Sequence, residues 1–63
     1  MNKEQRDLLS AVYNKNINPD YMSVRGYAYN FNKYNKLTMR DIDEVVAKLK
    51  ELLDKESNSL YQS

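Results

Sequence analysis

The sequence predicts a small all-α domain of three helices, and two observations support that prediction. Apolar residues recur at steps of three and four near 3–14 and 38–56, as on one face of an α-helix. A favoured N-cap residue precedes each predicted helix. The chain has 63 residues, which suffice for one domain with a marginal core. We expect that domain to span 1–57, followed by a frayed tail at 58–63.

The first helix is predicted from 3 to 14. Asn2 can cap it, and Gln5 occupies the capping-box position three residues later. Asn14 and Asn16 are expected to end it, because asparagine tolerates left-handed geometry at a helix C-terminus. Its apolar stripe consists of Leu8, Leu9, Val12 and Tyr13.

The second helix is predicted from 19 to 34, with Asn18 as N-cap and Pro19 at the first helical position. A strand competes with this interpretation, because residues 27–32 alternate with period two and include aromatic side chains. We favour the helix, since a single strand would find no partner within the chain. The sequence leaves open whether 26–36 is helical, extended or disordered before binding.

The third helix is predicted from about 38 to 56 and is long and amphipathic. Thr38 can cap it and Asp41 can complete a capping box. Two pairs of opposite charge, Glu44 with Lys48 and Glu51 with Lys55, are spaced to support it. The predicted core of the domain consists of Leu8, Leu9, Val12, Ile17, Tyr21, Val24, Ala28, Phe31, Leu37, Ile42, Val45, Val46, Leu49 and Leu52.

The composition argues against enzymatic chemistry. Cysteine and histidine are absent, which excludes disulfides, thiolate or imidazole metal ligands, and thiol or histidine catalysis. The serines therefore have no histidine to activate them, and a single glycine cannot build a phosphate-binding loop. We expect no catalytic residues, no cofactor and no metal site.

Location and origin follow from composition alone. No stretch has the apolar length of a signal peptide or a membrane span, so we expect a cytoplasmic protein without membrane contact. Eight asparagines and six tyrosines accompany abundant lysine. This composition resembles that of small accessory proteins of phages and mobile elements in low-GC bacteria, a resemblance that rests on no motif.

Charge is unevenly distributed and suggests a binding segment. Residues 13–40 carry five basic side chains and one acidic, whereas 41–56 carry three basic and six acidic. Tyrosine and arginine are enriched at protein interfaces. We therefore predict a non-enzymatic regulator that binds another protein through its tyrosine-rich basic middle. The predicted partner-binding residues are Tyr27, Tyr29, Tyr34, Arg25, Lys33, Lys36 and Arg40.

Two alternatives remain at this point. The same basic residues could contact phosphates in a small DNA-binding accessory factor of excisionase or repressor type, although a net charge of +1 is low for that role. The stripe of the 38–56 helix could also form a homodimer seam. It covers fewer heptads than a coiled coil needs, so an intramolecular core is favoured.

Overall fold

Three α-helices follow one another in the computed structural model, which describes residues 1–30 and 34–56 in full and the backbone of 57–62. They are α1 (Lys3–Asn14), α2 (Tyr21–Asn30) and α3 (Met39–Gln62). The predicted all-α, three-helix class is confirmed. Residues 27–30, part of the stretch that could have formed a strand, are helical, while 31–33 lie outside the described residues.

Helix α1 has the predicted limits because its capping box forms. The main-chain N–H of Gln5 donates to Asn2 Oδ1 at 2.9 Å, and the N–H of Asn2 donates to Gln5 Oε1 at 2.9 Å. Two main-chain donors that the first turn would otherwise leave unpaired are thereby satisfied.

The end of α1 is a Schellman motif built around Asn16. This residue has φ of 56°, in the left-handed region. Its N–H donates to the carbonyl of Tyr13 at 3.2 Å, and the N–H of Ile17 donates to the carbonyl of Val12 at 3.0 Å. Ile17 then packs against the core. The expectation that asparagine ends this helix is confirmed.

Replacing Asn16 with alanine should therefore lower the free energy of unfolding by about 1–2 kcal/mol, because a Cβ-bearing residue without a polar side chain is strained at this φ. Asn16→Gly should cost nothing or stabilise slightly, since glycine adopts positive φ freely. Urea denaturation of both variants measures the difference. Equal losses for alanine and glycine would show that left-handed geometry is not what Asn16 provides.

Helix α2 starts two residues later than predicted. Asp20, not Asn18, is the capping residue, because its Oδ1 accepts from the N–H of Ser23 at 2.8 Å. The Ser23 hydroxyl donates to the second carboxylate oxygen of Asp20 at 3.0 Å. A carboxylate is the better acceptor at a positive helix end. Pro19 consequently precedes the helix instead of opening it.

Helix α3 begins as predicted and ends later. Thr38 and Asp41 form a reciprocal capping box, with bonds of 3.0 and 3.2 Å. The helix continues to Gln62, past the predicted end at 56. The predicted tail at 58–63 falls where side chains are not described. Lys48 was predicted to pair with Glu44. In the structure its Nζ lies 3.5 Å from a carboxylate oxygen of Glu51.

The core lies where the three helices meet, and most of its predicted members are confirmed. Leu9, Ile17 and Tyr21 were predicted as core but are only partly buried against it, Leu52 is half-buried, and Phe31 lies outside the described residues. Among the residues whose side chains are described, the buried apolar ones are Leu8, Val12, Val24, Ala28, Tyr34, Leu37, Ile42, Val45, Val46 and Leu49.

A buried polar side chain joins α1 to α3. Gln5 is 3% exposed, and its Nε2 donates to the carbonyl of Asp41 at 3.2 Å and to the carboxylate of Glu44 at 2.9 Å. Near the other end of α1, Tyr13 contacts Glu56. Helices α1 and α3 therefore run in the same direction. Pro19 lies beside the later half of α3, so α2 runs back between them.

Candidate functional site

Helix α2 presents one side to the core and the other to solvent. Val24 and Ala28 are buried without measurable exposure. At 100° per residue, Met22, Gly26 and Tyr29 lie on the side away from the core, and the half-buried Arg25 flanks them; we call these four residues the outer α2 face. Met22 is 69% exposed and Tyr29 is 45% exposed. Two large apolar side chains about two helical turns apart make a small apolar surface beside a positive charge.

Arg25 and Tyr29 form a stacked pair one helical turn apart. The guanidinium carbon of Arg25 lies 5.0 Å from the centre of the Tyr29 ring. This is a cation–π contact, which contributes about 0.5–1 kcal/mol at an exposed site. The contact restricts both side chains before any partner arrives. It also leaves Tyr29 partly open to solvent.

Gly26 lies between these residues, and the fold itself does not require a glycine there. Its φ is not positive, and a Cβ added at this position would meet nothing within 4 Å. Glycine inside a helix costs about 1 kcal/mol relative to alanine. Glycine is also the residue found where another backbone must approach closely. The outer α2 face therefore carries a stability cost that nothing inside the described structure explains.

A shallow hollow of about 440 Å³ surrounds Gly26. Its rim includes three carboxamide side chains, those of Asn16, Asn18 and Asn30, together with Met22. A carboxamide both donates and accepts hydrogen bonds, as a peptide group does. The hollow can therefore satisfy the main chain of a polypeptide placed over Gly26.

Two predicted partner-binding tyrosines are placed differently from expectation. Tyr34 is 5% exposed and belongs to the core, so it cannot serve as a surface anchor. The chain turns at this point, where the N–H of Leu37 donates to the Tyr34 carbonyl at 3.2 Å, and both side chains enter the core. Tyr27 is half-buried against the core. Among the predicted tyrosines, Tyr29 is the one that faces outward.

The predicted basic residues that the structure describes are divided between α2 and the beginning of α3. Arg25 belongs to the outer α2 face, and Lys33 lies outside the described residues. Lys36 is exposed in the turn before α3, and Arg40 is exposed in the first turn of α3. There they lie within a few residues of Asp43 and Glu44, which are also exposed.

Sequence reasoning missed two members of the surface, Met22 and Gly26. A correct prediction of where α2 starts would not have identified them, because the exposure of each residue depends on which side of the helix packs against α3. The signal available in the sequence was a glycine in the middle of a predicted helix. The helical backbone does not require glycine there, so its presence indicates a reason outside the helix itself.

No family model, curated protein or solved structure matches this chain. Among the side chains that the structure describes, no three acidic groups come together as a metal-ion site. In the same part of the chain, no helix combines the length and apolar character needed to cross a membrane.

Proposed function

We propose that this chain is a small non-enzymatic regulatory protein, of the kind encoded by phages and mobile elements, that binds another protein in the cytoplasm. The binding surface is the outer α2 face. One observation carries the proposal: an exposed tyrosine is held against an arginine beside a glycine that the fold does not require.

The energetics of this surface favour a protein partner. Tyr29 offers a large apolar area with a polar tip, and the Arg25 contact reduces the conformational entropy that binding would cost. Arginine and tyrosine are also the residues that most often dominate interface energetics. Arg25 selects a partner with acidic side chains.

The distribution of charge supports protein binding over DNA binding. Arg40 is exposed in the first turn of α3, and the exposed Asp43 and Glu44 follow it at helical spacings of three and four. These carboxylates would repel a phosphate that approaches Arg40. A DNA-binding module usually gathers its cations on one face without such neighbours.

The test compares Tyr29→Ala with Met39→Ala, a control on α3 whose side chain is also exposed, at 67%. Each purified protein is immobilised and used to recover partners from a lysate of a low-GC bacterium. We expect the unmodified chain and Met39→Ala to retain the same protein, and Tyr29→Ala to recover roughly tenfold less of it, as for a hot-spot residue.

The DNA alternative is measured in parallel by titration into labelled mixed-sequence duplex at about 50 and 200 mM salt. We expect no binding at micromolar concentrations. Binding that collapses at the higher salt concentration would replace the proposal with the DNA-binding function. Equal recovery by Tyr29→Ala and the unmodified chain would show that the outer α2 face is the wrong surface.

A further inference from the structure

A second surface lies on the opposite side of the molecule from α2, in a groove of about 470 Å³ between α1 and α3. Its apolar residues are Leu9, Tyr13 and Leu52, each half-buried. Polar side chains of both charge signs border them, including Lys55 and Glu56. Water-exposed leucine and tyrosine surface of this kind is stabilised when another molecule covers it.

Glu56 is held at the edge of this groove. The Tyr13 hydroxyl donates a hydrogen bond to its carboxylate, and this bond, with burial and the negative charge, raises the pKa of Tyr13 above its usual value. The hydrogen bond joins the end of α1 to α3. It also keeps the carboxylate beside Leu52, one turn along the same helix.

The groove shares one residue, Leu52, with the homodimer seam that the sequence suggested. That seam comprised Ile42, Val45 or Val46, Leu49 and Leu52 or Leu53, and its members up to Leu49 are buried within the single chain. Leu52 is half-buried and lines the groove together with Leu9 and Tyr13 of α1. A dimer that pairs the two α3 helices therefore has to use the open side at Leu52.

We propose that a second copy of this chain covers the groove in a two-fold symmetric homodimer, with the two α3 helices antiparallel and crossing at Leu52. Lys48 stands four residues before Leu52, and Glu56 stands four residues after it. Antiparallel pairing about Leu52 consequently places Lys48 opposite the partner's Glu56, and Glu56 opposite the partner's Lys48. The row formed by Lys48, Leu52 and Glu56 is complementary to itself.

The self-complementary row on α3 favours a second copy of the chain over a different partner. A two-fold interface uses the same patch on both subunits, so each charge must find its opposite within that patch. A uniformly acidic or basic peptide would leave one end of the row facing a like charge. The present partner of Lys48, Glu51, is more than half exposed at 57%, and such a surface pair is weak enough to rearrange.

The experiment is sedimentation velocity of the full chain between about 10 and 500 µM, where dimerisation follows mass action. We expect the mass to rise from 7.5 kDa toward twice that value. Lys48→Glu turns two attractive pairs into two repulsive ones and should raise the dimer Kd by about tenfold or more. Glu56→Lys should do the same. The double variant Lys48→Glu/Glu56→Lys restores both pairs in reversed order and should dimerise again.

Lys50→Glu is the matched control, because it makes the same charge change at an exposed α3 position about 200° away from Lys48. It should leave the Kd unchanged, and circular dichroism should show all variants equally helical. A mass that stays at 7.5 kDa throughout overturns the proposal. So does a dimer that Lys48→Glu leaves intact, since the subunits would then meet through another face. Neither result bears on protein binding by the outer α2 face.

Discussion

Gln5→Ala should lower the free energy of unfolding by about 2–3 kcal/mol. The substitution removes the capping bond to the N–H of Asn2 and the two bonds to the start of α3, one of them to the Glu44 carboxylate. A domain of this length has roughly 3–9 kcal/mol of stability in total, so the loss is a large part of it. Urea unfolding monitored by circular dichroism measures it.

Gln5→Glu separates the contribution of the capping bond to Asn2 from that of the bonds to the start of α3. Glutamate has nearly the same shape and can still accept the bond from Asn2, but it cannot donate to Asp41 or Glu44. It also places a second carboxylate beside that of Glu44. We expect it to be at least as unstable as Gln5→Ala at neutral pH. If Gln5→Glu matched the unmodified chain, the bonds between α1 and α3 would contribute nothing.

Gly26→Ala should stabilise the chain and weaken binding of its partner at the same time. A Cβ at this exposed helical position meets nothing, so alanine should raise the free energy of unfolding by about 1 kcal/mol and Tm by about 4–8 °C. In the complex, the added methyl group would stand between two backbones in close contact. We expect roughly tenfold weaker partner recovery, as for a residue at the centre of an interface.

The reverse substitution at another exposed helical position, Ala47→Gly, provides the control. Ala47 is exposed in α3, away from the outer α2 face, so glycine there should cost about the same 1 kcal/mol and leave partner binding intact. Together the two variants show whether binding follows stability or the surface at residue 26. If Gly26→Ala gained stability and bound equally well, no backbone would approach Gly26 closely.

The helix ends that depend on short-range side-chain chemistry could be predicted from the sequence. Two capping boxes, Asn2 with Gln5 and Thr38 with Asp41, each join residues only three positions apart. Both form as expected. The predicted start of α2 was wrong, because Asn18 and Asp20 are both good capping residues and compete there. Asp20 replaces Asn18, since its carboxylate can accept from both groups of Ser23.

The position of Tyr34 could not be obtained in the same way. Its burial depends on where the chain turns after α2 and on space left by the other helices. Aromatic character alone is compatible with a core residue or a surface anchor, and only packing decides between them. The same is true of Gln5: its capping role was readable locally, whereas its bonds to residues 36 and 39 positions away were not.

The parallel arrangement of α1 and α3 has a consequence for how fast the chain acquires its structure. Neighbouring helices can meet after closing short loops, but Gln5 meets Glu44 only when 39 residues have been drawn together. Loop closure of that length carries a larger entropic barrier than joining α2 to α3. We therefore expect the contacts between α1 and α3 to form last, after those between neighbouring helices. Substitutions at Gln5 should then accelerate unfolding while leaving the folding rate nearly unchanged.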